Sequence, residues 1–267
     1  MSKNEPRELR VVTAGATHIG GRDNNEDSFG IHRLGPYDVL FVADGLGGHD
    51  HGELAAQAVA RHLPITFEHL RTMHLSPEKD GGSQLYFPSL PTLFRMLDQD
   101  VEESKGKTVL SVAILDRRYG RLWFAWAGDA PMLHLQRFGG GYRCAKRAEA
   151  HGFGTHVFKG LGFGPGREDV RDPWQPEIWS SVTLEPGDVV VVASDGLDTL
   201  FDDDPRLLQM KTVKELPLPI TLKRLGHNRL EDLSARELEG VCKRMIAGAI
   251  AAGSTDNCTL VMAVVQR

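Results

Sequence analysis

Five acidic sites carry the chemistry that this sequence offers. Asp44 ends an apolar run and is followed by Gly45, Gly47 and Gly48. Asp195 follows a second run and precedes Gly196; Asp129 follows a third, after Gly128. Asp256, next to Asn257, precedes the last run, and Glu26 with Asp27 follows the first. Aspartate is depleted in strands, and glycine permits a sharp turn or a close backbone approach. One Asp-Gly after a strand is an ordinary turn. Five such sites in one chain suggest more. Carboxylates gathered in space repel one another and are tolerated when a cation compensates them. A donor set made only of oxygen favours Mg²⁺ or Mn²⁺ over Zn²⁺. Spacing alone leaves open whether these acids meet.

The elements that must position them are short and rich in β-branched residues. Residues 9–13, 39–43, 109–115, 122–127, 132–135, 189–193 and 259–265 read as strands. Several are nearly continuous in apolar residues, the pattern of strands covered on both faces. Helices are predicted over 52–63, with Leu54, Ala55, Ala58, Val59 and His62 on one face, over 90–104, and over 233–252. Ser234 and Glu237 form a capping-box pair for the last of these. Residues 74–88, 138–179 and 201–229 look irregular. Asp202, Asp203 and Asp204 form an acidic run that suits a helix N-terminus. No repeat or linker divides the chain, so one domain spanning 1–267 is expected, with two sheets packed together and helices outside.

Composition narrows the function classes. Of 267 residues, 31 are Lys or Arg and 36 are Asp or Glu, for a net charge of -5. No bulk basic field argues for nucleic acid. Cys144, Cys242 and Cys258 form no CxxC pair and read as reduced thiols. No signal-like N-terminal apolar region or membrane-length apolar run is present, so a cytoplasmic protein is the default expectation.

Read in order, the acidic sites resemble a known family. Residues 22–29, Arg-Asp-Asn-Asn-Glu-Asp-Ser-Phe, resemble the Arg-x-x-Asn-Glu-Asp opening of the metal-dependent (type 2C) protein phosphatases, and look closest to bacterial members. Residues 44–49, Asp-Gly-Leu-Gly-Gly-His, resemble the second motif, and Gly106-Lys107-Thr108 is a looser match to a third. Gly128-Asp129 resembles Gly-Asp-Ser with Ala130 in place of the serine; Ser194-Asp195-Gly196 and Asp256-Asn257 resemble the last two motifs. The resemblance implies an α+β fold: a four-layer αββα sandwich of two mostly antiparallel sheets flanked by helices. It implies a binuclear Mn²⁺/Mg²⁺ site with Asp44 bridging, Asp195 and Asp256 on the first ion, and the Gly45 carbonyl with Glu26 on the second. Asp129 with Asp195 would form a third, weaker site. The familiar Thr-x-Asp-His segment is missing after Cys144, and Asp198 stands one residue off the family spacing.

The implied activity is hydrolysis of phosphoserine and phosphothreonine in proteins by a metal-activated water, opposing a Ser/Thr kinase. Arg22 would grip the phosphate, a task suited to its planar fork. Leu46 occupies the position where many eukaryotic relatives carry a histidine, so that general acid is absent. His49 and His51 read as structural. Expected partners are phosphorylated proteins and a cognate kinase or its targets, with no nucleic acid, no membrane and a monomeric chain. One competing reading keeps the fold and metals but takes a single dedicated phosphoprotein as substrate; another is a non-catalytic binding module, which Asp44, Asp195 and Asp256 argue against.

Overall fold

Six runs of the chain are apolar at nearly every position, and each becomes an interior strand. The computed structural model describes residues 8–46, 51–73, 90–138, 141–153, 156–164, 172–181, 183–201 and 229–267. One five-stranded antiparallel sheet has the order β1-β12-β11-β6-β7, built from Val11–His18, Cys258–Val265, Val189–Ala193, Met132–Phe138 and Gly141–Arg147. The other has the order β10-β5-β4-β3-β2, from Glu177–Ser181, Arg121–Ala127, Thr108–Asp116, Tyr37–Gly45 and Asp27–Leu34. A small hairpin pairs β8 (Gly152–Phe153) with β9 (His156–Val157).

Alternation explains the layers. In β3, Val39, Phe41 and Ala43 face a helical layer, while Leu40 and Val42 face the other sheet. In β11, Val189, Val191 and Ala193 face outward to a helix, while Val190 and Val192 point to the interior between the sheets. Strands buried on both faces have no polar side to show, which produces the continuous runs. Helices α1 (Gly52–Met73) and α2 (Leu90–Ser104) cover the second sheet. A single-turn helix α3 (Asp198–Phe201) precedes α4 (Ala235–Ala251), which covers the first sheet. The result is an α+β sandwich in four layers.

Several sequence expectations are adjusted. The first helix does not stop at residue 63; it runs through Pro64 to Met73. Its buried face holds Ala55, Ala56, Ala58, Val59 and Leu63, whereas Leu54 is exposed and His62 pairs with Asp100 of α2 at 3.3 Å. Residues 138–179 contain β7, β8, β9 and the start of β10 rather than one irregular stretch. The capping box is present: the Glu237 N–H donates to Ser234 Oγ, and Glu237 Oε2 accepts from the Ser234 N–H at 2.8 Å. The irregular readings of 74–88 and most of 201–229, the Asp202–Asp204 run and His49 lie outside the described residues.

Candidate active site

Every candidate residue from the sequence lies at one end of the sandwich, where loops from both sheets meet. Arg22, Glu26, Asp44, Gly45, Asp129, Asp195 and Asp256 line a single cleft of about 500 Å³. Asp23, Asn24, Leu46, Val157 and Asn257 complete its lining.

The second sheet supplies Asp44 at the end of β3. Its carbonyl accepts from Thr108 Oγ1 at 2.8 Å, and the next turn is held where the Leu46 N–H donates to the Lys107 carbonyl at 2.9 Å. Gly45 admits no side chain. A Cβ there would stand 2.5 Å from the Gly52 carbonyl oxygen and 2.8 Å from that of Glu26. This close approach brings the first turn of α1 against the opening loop. The first sheet supplies Asp195, in a single 3-10 turn after β11, and Asp256, just before β12. Asp129 sits in the turn after β5.

Asn257 ties these pieces together. Its Oδ1 accepts from the Glu26 N–H at 2.8 Å, and its Nδ2 donates to the carbonyls of Ile19 (2.8 Å) and Asn24 (2.9 Å). It therefore clamps the opening motif to the last motif across more than two hundred residues. Sequence reasoning quoted it only as a neighbour of Asp256; an asparagine at a strand entry carries no mark of its distant partners.

The electrostatics are those of crowded carboxylates. Asp44 is pushed well above the usual carboxylate range by burial, then by Asp27, Asp195, Asp129 and Asp256. It still keeps a partly exposed edge on the cleft. Burial, then Asp129 and Asp256, push Asp195 up to about 7. Burial raises Asp129 and Glu26 as well. Beneath them lies Asp27, which sequence reasoning placed in the motif but not in the site. It is directly opposite Asp44 in the β2–β3 ladder and buried. Its carboxylate oxygens have no aligned hydrogen-bond partner, though the hydroxyls of Thr259 and Ser194 partly offset the dominant upward push of burial.

Arg22 donates from Nη2 to Asp256 Oδ2 at 2.6 Å, so two candidate site residues hold each other. Among the described residues, no three His, Cys, Asp or Glu side chains are closed tightly enough to hold an ion as they stand. Asp256 is turned to its arginine. The donor set still fits a hard divalent cation. It is oxygen throughout, it is crowded with repelling carboxylates, and beneath it lie the orphaned buried oxygens of Asp27. Asp198 does not line the cleft; its Oδ1 lies 3.8 Å from Arg147 Nη2.

Comparison with known proteins agrees with this geometry. The family profile described as Protein phosphatase 2C matches residues 14–220. The chain is 25% identical over 214 residues to the protein phosphatase PTC7 homolog fig of Drosophila mojavensis, covering 78% of this chain and 65% of that protein. It is 27% identical over 195 residues to the protein phosphatase PTC7 homolog of Danio rerio, covering 72% and 61%. The chain thus spans under two thirds of the length of these curated relatives. Among solved structures, the S. agalactiae serine/threonine phosphatase superposes with a TM-score of 0.67 at 16% identity, covering 96% of this chain and 100% of that one. The catalytic domain of the phosphatase PstP, solved with two manganese ions, gives a TM-score of 0.59 at 20% identity, covering 97% and 100%.

Proposed function

The chain belongs to the protein phosphatase 2C family, and from that premise we propose that it hydrolyses phosphoserine and phosphothreonine esters in proteins, opposing a Ser/Thr kinase. The observation that carries this reading is the convergence of all seven candidate residues on one cleft whose carboxylates repel one another. Asp44, Asp195 and Asp256 would hold one divalent ion, and Asp44, the Gly45 carbonyl and Glu26 the other. Asp129 with Asp195 would take a third, weaker one. When bound, such ions neutralise the phosphoryl charge and lower the pKa of a water so that hydroxide forms near neutral pH.

The chain's own residues do the rest. Arg22 would grip the non-transferring phosphate oxygens with its planar fork. Its Nη2 is held by Asp256 Oδ2, which leaves its other N–H donors for the phosphate. Leu46 offers no proton, so the leaving alkoxide takes its proton from solvent in the cleft rather than from this position. Asn257 and Gly45 keep the opening loop and the first turn of α1 against the carboxylates. Residues 1–267 are read as one catalytic unit, supported by an interior cluster that draws side chains from both sheets. Among the described residues no helix is long and apolar enough to cross a membrane; a cytoplasmic monomer acting on phosphoproteins is the working proposal.

The test is hydrolysis of a phosphothreonine peptide with and without Mn²⁺, in the parent and in Asp44→Asn and Asp195→Asn. Metal-dependent turnover lost in both variants supports the reading. A folded chain that binds Mn²⁺ yet turns over no phosphopeptide would sink it in favour of a binding module.

A further inference from the structure

Outside the seven candidate residues, one buried histidine is bonded to three parts of the cleft wall at once. His151 follows β7 and is 5% exposed. Its Nδ1 accepts from the Gly128 N–H at 3.1 Å, and its own N–H donates to the Gly128 carbonyl at 2.9 Å. Both polar groups of Gly128 are thus held by one residue. Gly128 has φ +127°, and a Cβ there would collide with Val109, so the turn that presents Asp129 is itself unusual. On the other edge of the ring, Nε2 lies 2.9 Å from Glu177 Oε1 of β10, at an angle too bent for an ideal bond. The ring stacks on Trp126, with centroids 6.0 Å apart and planes 10° apart. The His151 carbonyl accepts from the Phe158 N–H at 3.1 Å, closing the β8–β9 hairpin whose Val157 lines the cleft.

An imidazole that accepts at Nδ1 carries its proton on Nε2, where the carboxylate of Glu177 stands. A charged ring would have a proton on both nitrogens and would lose the Gly128 bond. We propose that His151 is a positioning residue: its neutral Nε2–H ring fixes the Gly128–Asp129 turn and the Val157 hairpin as one rigid wall, and so aims the Asp129 carboxylate into the cleft. The inference rests on the functional reading above only in taking Asp129 as a cation ligand. Groups that orient a ligand from behind commonly alter metal affinity when removed.

The test uses the full chain. ¹H–¹⁵N spectra of the ring at pH 7 are expected to show Nδ1 unprotonated and Nε2 protonated; the other tautomer or a doubly protonated ring overturns the proposal. His151→Asn puts an acceptor oxygen near the Nδ1 position, whereas His151→Gln reaches only the Nε2 position. Mn²⁺ binding, followed by electron paramagnetic resonance, is compared with Asp129→Asn, which defines the ion that Asp129 supports. His151→Gln is expected to weaken that ion about tenfold and His151→Asn no more than about twofold. Equal weakening in both, or none in either, overturns the assignment, because a merely structural histidine would not distinguish them. A parent without an Asp129-dependent ion sinks that residue's ligand role instead. The tautomer and the exchange protection of the Gly128 amide then decide: protection lost in Gln and kept in Asn supports the wall, and equal protection overturns it.

Discussion

Strand β3 carries an aspartate near each end, and the two are handled in opposite ways. Asp38 and Asp44 are six residues apart, about 20 Å along the strand. Asp38 is 2% exposed and paired: Arg33 Nε donates to it at 2.9 Å, and Arg117 Nε lies 3.3 Å away. Arg117 in turn holds Glu8 at 2.7 Å and the Gly35 carbonyl. Asp44 has Asp27 opposite it and Asp195, Asp129 and Asp256 around it. One end is a closed ion-pair network whose charges are compensated by the chain. The other is a donor set in which Arg22 pairs with Asp256 alone, so most of its compensation must come from outside. A buried carboxylate costs stability unless it is paired, so the unpaired end points to function and the paired end to folding.

The largest expected effect separates the two roles at the open end itself. Asp44→Asn should lower Mn²⁺-dependent turnover by at least about 100-fold, the size that loss of outer-shell partners alone can reach. The same variant should melt at a higher temperature than the parent in the absence of metal, since one repelling charge is gone. A lower metal-free melting temperature would break the comparison. At the closed end, Asp38→Ala should cost about 3 kcal/mol of stability, the low end for breaking a buried pair, because Arg117 keeps Glu8 and Gly35. Denaturant unfolding measures it, and turnover per folded molecule should be unchanged.

Metal addition sharpens the contrast further. Mn²⁺ at 100 times its dissociation constant should stabilise the parent by about 2.7 kcal/mol, with chelator reversing the gain. Asp38→Ala should show the same increment and Asp44→Asn much less of it. The smallest effect is a pH slope. Burial and the neighbouring acids push Asp195 up to about 7 in the folded chain, against 3.8 ordinarily. Its folded pKa is raised, so the folded state holds the proton longer than the unfolded state does. The Asp195 contribution to metal-free stability should therefore be fully present below about pH 4 and be lost as pH rises through 7, by at most about 1.4 kcal/mol per pH unit for one proton. Melting curves from pH 5 to 8 check this; a metal-free melting temperature that rises over that window contradicts it.

What was legible in the sequence follows from burial. The six interior strands, β3, β4, β5, β6, β11 and β12, all coincide with apolar runs, because both of their faces are covered. The four edge strands were missed or misplaced. β2, β7 and β10 gave no run at all, and β1 begins at Val11 and reaches His18 rather than spanning 9–13. An edge strand is half exposed, so polar residues such as those of Gly141–Arg147 interrupt its pattern without disturbing its ladder. The last helix was readable from its capping box, which is a local signal.

The sequence by itself determined the acids, their order and the turns that carry them, because a strand end followed by glycine is a local statement. It also determined the interior strands, since hydrophobic burial on two faces leaves a one-dimensional trace. Only the tertiary structure decided that Arg22, Glu26, Asp44, Asp129, Asp195 and Asp256 share one cleft. Only it showed Asp27 beneath Asp44, Arg22 engaged by Asp256, Asn257 clasping the opening loop, and His151 behind Asp129. These are contacts between residues up to more than two hundred positions apart. Their partners are chosen by how two sheets pack, and no local run of residue types records that choice.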